Sequence, residues 1–148
     1  MTAEPTDSPG FLLWHVTLRW QRDIAAALAP LDLTHVQFVL LACLWWLGGK
    51  GDQPNQLALA RFAGTDVKMT SEVVRRLEAK GLLVRETDPS DTRAKRLRVT
   101  PTGADLAARA VAGVETADER FFTPVPRADA LRLLRRLADQ PPTGRSGQ

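Results

Sequence analysis

The sequence predicts a mainly α-helical domain that carries one small β-hairpin. Apolar residues recur at three-to-four spacing through most of the chain, the period of a helix with one inward face. One stretch, Leu82 to Thr100, departs from that period and alternates instead at its far end, where Leu97 and Val99 interleave with Arg96 and Arg98. Glycine, proline or a short oxygen-bearing side chain stands at most changes of pattern, as helix starts and stops require.

Taken in order, residues 1–10 contain two prolines and small polar residues and read as disordered. A helix follows from Phe11 to Ala29, with Leu12, His15 or Val16, Arg19 or Trp20, and Ile24 on one side, and Pro30 stops it. Thr34 can cap a second helix, His35 to Leu47, whose sequence HVQFVLLACLWWL is apolar almost all round and so belongs at the centre of the core. Gly48 to Asp52 is a flexible break, Asn55 can cap a short helix from Gln56 to Ala63, and Gly64 ends it. Thr65 or Asp66 can cap the next helix, which runs to Lys80. Its inward stripe is Thr70, Val73 or Val74, and Leu77, leaving Lys68, Met69, Ser71, Glu72, Arg75 and Arg76 pointing elsewhere. Gly81 suits a left-handed C-terminal cap. Leu82 to Val84 and Arg96 to Thr100 read as paired strands around a turn-rich tip, Asp88 to Lys95. A further helix spans Gly103 to Phe122, the segment Thr123 to Pro126 breaks it, and a last helix, Arg127 to Ala138, carries Leu131, Leu134 and Leu137 on one side. Residues 140–148 again read as disordered.

Two helices joined at Gly64 and followed by a basic hairpin have the spacing of a winged helix-turn-helix, a shape that meets DNA. The net charge of +3 on 148 residues is too small to argue for nucleic acid by itself. Its placement says more: from Arg61 to Arg98 ten Lys or Arg stand against six Asp or Glu, and Arg93, Lys95, Arg96 and Arg98 crowd the wing. The longest apolar run, Val36 to Gly49, is too short to span a bilayer, and no charged-then-apolar leader opens the chain, so a bacterial-type cytoplasm and no membrane partner are expected. The single cysteine, Cys43, excludes an internal disulfide. It lies in an apolar run, and its default is a buried small hydrophobe rather than a redox sensor. With His15 and His35 as the only histidines, no catalytic pair, metal site or cofactor is expected.

The stretch DPSDTRAKRLRVTPTG, residues 88–103, resembles the signature of the MarR family of bacterial winged-helix regulators, an Asp-x-Arg pair ahead of a strand ending in Leu/Val-Thr. The preceding RRLEAKGLLVRE, residues 75–86, is similar to the end of that family's recognition helix and its first wing strand. The resemblance implies one domain over 11–139, with the winged helix at about 34–100. It also implies a homodimer built from the helices at about 11–29 and 103–138, with Leu106, Ala110, Val114, Phe121, Phe122, Leu131, Leu134 and Leu137 as candidate contacts.

On that basis the helix from Asp66 enters the major groove of double-stranded DNA, one per subunit, at half-sites roughly 10 base pairs apart. Lys68 donates to guanine or phosphate, Met69 packs on a thymine methyl, Ser71 bonds a base edge, Arg75 meets phosphate or a guanine, and Arg76 is a further DNA-binding candidate. Glu72 accepts from cytosine or, as favoured, pairs with Arg75 or Arg76 along the helix. Arg93 at the wing tip suits a narrow minor groove, Asp91 braces it through an ion pair, and Lys95 and Arg96 serve phosphates or the strand's outer face. Trp14, His15, Trp20, His35, Trp45 and Trp46 pack as core and dimer surface or, alternatively, wall a pocket for a small aromatic effector, with His15, His35 or Arg19 as its polar anchor. The function expected is a dimeric transcriptional repressor; the alternative is a winged-helix protein-interaction module without specific DNA binding.

Overall fold

The computed structural model describes residues 4–139. Helices α1 (Pro9–Leu28), α2 (His35–Gly49), α3 (Gln56–Ala63) and α4 (Val67–Ala79) lead into the hairpin β1 (Leu83–Asp88) and β2 (Asp91–Val99), then α5 (Pro101–Phe121) and α6 (Arg127–Ala138). Helix α1 starts two residues earlier than Phe11, because the Ser8 hydroxyl accepts from the Phe11 N–H and Pro9 fits the first helical position. Ahead of it Pro5–Asp7 form a 3-10 turn, so the segment expected to be disordered up to residue 10 is structured in its second half. Residues 1–3 and 140–148 lie outside the described residues. Among the described residues, no single helix is long and apolar enough to cross a membrane.

Helix α2 is the centre, as its apolar circumference requires. Its Leu40, Leu41 and Leu44 are buried against Ile24 and Leu28 of α1, Leu59 of α3, Val74 and Leu77 of α4, and Ala107 and Ala110 of α5. Its start is a capping box: Thr34 Oγ1 accepts from the Gln37 N–H, and Gln37 Oε1 accepts from the Thr34 N–H, each at 3.2 Å. The same Gln37 oxygen accepts from Lys80 Nζ at 3.1 Å, and Lys80 also donates to the Asp32 carbonyl. One cation at the end of α4 thereby fixes that helix to the entry of α2.

The hairpin is longer than its alternation suggests. Six residues of β1 pair with β2, from Leu83↔Val99 to Thr87↔Lys95 and then Asp88↔Asp91, leaving Pro89 and Ser90 as the turn. The jump in register means that residues 92–94 bulge from β2, with Arg93 in the middle. The expected tip of Asp88 to Lys95 is therefore mostly strand. The Leu97 N–H donates to the Pro54 carbonyl at 2.9 Å, which ties the wing to the chain just before α3.

Where the wing returns to the body, the chains come very close. Thr100 caps α5 by accepting from the Gly103 N–H at 3.0 Å, and its hydroxyl donates to the Gly81 carbonyl at 2.6 Å. A Cβ on Gly103 would lie 1.9 Å from the Leu82 carbonyl oxygen, so only glycine fits.

Helix α6 has no fully buried residue within the subunit: Leu134 and Leu137 are exposed and Leu131 is half-buried. The outer half of α1 likewise exposes Phe11, Leu12, Leu13, Trp14 and Val16. Two expected dimer contacts are corrected, since Ala110 and Val114 are buried in the subunit's own core. Leu106 packs on that core as well.

Candidate nucleic-acid interface

Helix α4 is strongly two-sided. Asp66 caps it by accepting from the Met69 N–H at 2.9 Å, and Thr70, Val73, Val74 and Leu77 form its buried stripe. Thr70 is tolerated there because its hydroxyl donates to the Asp66 carbonyl and meets the Thr65 hydroxyl, both at 2.7 Å. Lys68, Met69, Glu72, Arg75 and Arg76 are exposed and Ser71 is half-buried. The structure thus brings the expected α4 residues to one outward surface.

Among the described residues, none of Lys68, Arg75, Arg76 and Arg93 lies within ion-pair distance of a carboxylate. These four cations make no ion pair and are available to an external anion. The favoured pairing of Glu72 with Arg75 or Arg76 is not made, a correction that fits the small gain of an exposed pair against the entropy of two long side chains.

In the wing the roles shift by one carboxylate. Asp91 does not brace Arg93 by an ion pair; its Oδ1 accepts from the Arg93 backbone N–H at 3.0 Å and shapes the bulge. Asp88 instead holds an arginine: Arg96 Nε donates to Asp88 Oδ2 at 2.9 Å, and Arg96 Nη1 reaches the Gln53 carbonyl at 3.4 Å. Arg96 is therefore engaged inside the wing rather than free for phosphate. Arg98 is engaged too, donating to Glu86 Oε1 at 2.6 Å, a bond that raises its pKa. Lys95 donates to the Thr87 hydroxyl at 3.0 Å, which keeps its charge unneutralised.

Asp88 accepts from the Ser90 N–H and the Ser90 hydroxyl on its other oxygen, at 2.9 and 2.8 Å. The backbone bond, then the hydroxyl, then Arg96 hold its carboxyl at about 2, below the ordinary 3.8. The unfolded chain therefore binds this proton more tightly, and the contribution of Asp88 to stability is complete above about pH 4 and lost as pH falls toward 2. Acid titration followed by amide exchange at Ser90 should show the turn opening across that window. Asp88→Asn should remove this part of the pH dependence.

The six residues expected to wall one pocket are dispersed, because positions 14 and 20 of one helix, and 45 and 46 of the next, face different ways. Trp14 is exposed, and His15 meets Phe11 edge-on at 4.5 Å. Trp45 packs on the core, while Trp46 stacks on Phe62 at 5.5 Å with Lys50 Nζ 3.9 Å from its ring. Only Trp20 and His35 of the six come together, at 5.0 Å. Trp20 Nε1 donates to Asp118 Oδ1 at 2.8 Å. Burial lowers the pKa of His35, against the opposing charge of Asp118. Cys43 is half-buried, and burial pushes its thiol up, away from thiolate chemistry.

Sequence reasoning misses Asp88, Asp118 and Val67. Asp88 reads as a turn residue, and the partners of Asp118 are distant in the chain; neither carries a local signal. Val67 is an exposed apolar residue at the first position of α4, which the helical period alone does not single out.

Comparison with known proteins agrees with this geometry. A model of the MarR family matches residues 33–95. An uncharacterized HTH-type transcriptional regulator of Bacillus subtilis, YdcH, is 46% identical over 118 residues, covering 80% of each chain. The HTH-type transcriptional repressor Rv2887 of Mycobacterium tuberculosis is 35% identical over 78% of this chain and 81% of its own. Among solved structures, the transcriptional repressor CouR bound to a 23-mer DNA duplex superposes with a TM-score of 0.79 at 30% identity, over 93% of this chain and 95% of that one. CouR from Rhodococcus jostii RHA1 bound to p-coumaroyl-CoA gives a TM-score of 0.80 at 29% identity, over 92% and 93% of the two chains. With a capped two-sided helix, a basic wing and relatives matched over most of its length, the chain belongs to the MarR family of winged-helix transcriptional regulators.

Proposed function

We propose that the chain is a sequence-specific transcriptional repressor that binds a pseudo-palindromic operator as a homodimer. The observation that carries this reading is the set of exposed cations without carboxylate partners, Lys68, Arg75 and Arg76 on α4 and Arg93 and Lys95 on the wing. A protein-interaction module has no need of such a set. Helix α4 of each subunit enters the major groove, where Lys68, Met69, Ser71, Glu72 and Arg75 reach base edges and Arg76 meets phosphate. Glu72, which makes no ion pair among the described residues, accepts from cytosine. Arg93 enters the minor groove and Lys95 meets phosphate, while Arg96 and Asp91 hold the wing's shape. The winged helix spans about 34–100, and the flanking helices, about 11–29 and 103–138, join the subunits through the apolar faces that α1 and α6 leave exposed.

The proposal extends to a small aromatic effector, supported by CouR's binding of p-coumaroyl-CoA. Trp20 and His35 are its candidate contacts, where α1, α2 and α5 meet. A ligand that binds better when the two winged helices are wrongly spaced for DNA releases the operator by population shift.

Arg93→Ala tests the wing. Affinity for a bound duplex should fall, and the slope of log K against log salt should flatten by about 0.9, the share of one phosphate contact. Unchanged affinity with an unchanged slope would remove Arg93 from the interface.

A further inference from the structure

We infer that the chain recognises thymine through two apolar side chains, Val67 and Met69, at the first turn of α4. The inference rests on the DNA-reading function proposed above and names what that helix selects. Val67 is 52% exposed and Met69 39%. At about 100° per residue they stand on either side of Lys68, flanking the outward face opposite the stripe of Thr70, Val73, Val74 and Leu77.

Neither belongs to the buried core cluster. Helix formation does not favour them either, because the first turn, with its free N–H groups, suits acidic or polar side chains, and valine is a poorer helix former than alanine or lysine. Their exposed apolar surface is open to contact with something outside the subunit. On the floor of the major groove, the thymine C5 methyl is the apolar feature of a base edge, and an exposed aliphatic side chain pressed on it removes both from water. Lys68, Ser71, Glu72 and Arg75 on the same face bond polar edges or phosphates and are indifferent to that methyl.

The test replaces single thymines by uracil, which keeps the pairing and the O4 acceptor and lacks only the methyl. The full chain first selects its site from a random duplex pool. Binding by the wild type, Val67→Ala and Met69→Ala is then measured on duplexes carrying one uracil at a time. At each contacted thymine the wild type should weaken about fourfold, the worth of one buried methyl-sized group. Val67→Ala should lose that response at one thymine and Met69→Ala at another, while both variants melt as the wild type does. Uracil that is neutral at every thymine, or a response that persists unchanged in both variants, would overturn the inference and leave the DNA-reading function standing. A pool that yields no enriched site would overturn that function and the inference together.

Discussion

Replacing Gly103 with alanine is expected to lower stability by about 3 kcal/mol, the upper part of the range for overpacking a close contact. The added methyl would sit 1.9 Å from the Leu82 carbonyl oxygen and 2.8 Å from its carbon, both backbone atoms that no rotamer change can move aside. That carbonyl also accepts from the Thr100 N–H at 3.0 Å, so displacing it loosens the cap of α5 and the base of the wing together. For a chain of this length the melting temperature should drop by roughly 6–12 °C, read at fixed protein concentration. Gly48→Ala is the control. A Cβ there meets nothing within 4 Å, and the variant should melt near the wild type or slightly above it. DNA binding by Gly103→Ala should fall further than its folded fraction explains, since this contact sits at the base of the wing.

Replacing Leu134 and Leu137 with glutamate should give a folded monomer. Both side chains are exposed in the subunit, so the core loses nothing. In the proposed dimer, however, the two carboxylates would enter a surface closed by apolar contacts. Sedimentation should report the 16.3 kDa chain mass rather than twice that value. A monomer holds one half-site, so operator affinity should fall by about a hundredfold or more, the usual worth of linking two binding events. A double variant that stays dimeric would place the subunit interface elsewhere.

The helices of the winged unit were legible because each start has its own chemistry: Thr34, Asn55 and Asp66 all accept the N–H bonds their positions suggest. The inward stripe of α4 and the all-round apolar α2 were legible for the same reason, as periodicity records burial directly. The wing was half legible. Alternation is visible only where Leu97 and Val99 face the body; farther out both faces are polar, and paired strand resembles turn. Surface charges were the least legible. Asp88 and Arg96 meet across a bulge, and Trp20 and Asp118 meet between α1 and α5, so no spacing along the chain announces either pair. The scatter of the tryptophans has a similar origin, since a count of large rings carries no direction until neighbouring helices set one.

The most direct measurement is fluorescence anisotropy of the full chain with DNA from immediately upstream of its own gene, at two salt concentrations, with random duplex as control. Binding to the upstream DNA should exceed binding to random DNA by about a thousandfold or more and weaken steeply with salt. Equal weak binding to both duplexes at both salts would contradict a sequence-specific repressor, and the basic face of α4 would then need a partner other than DNA.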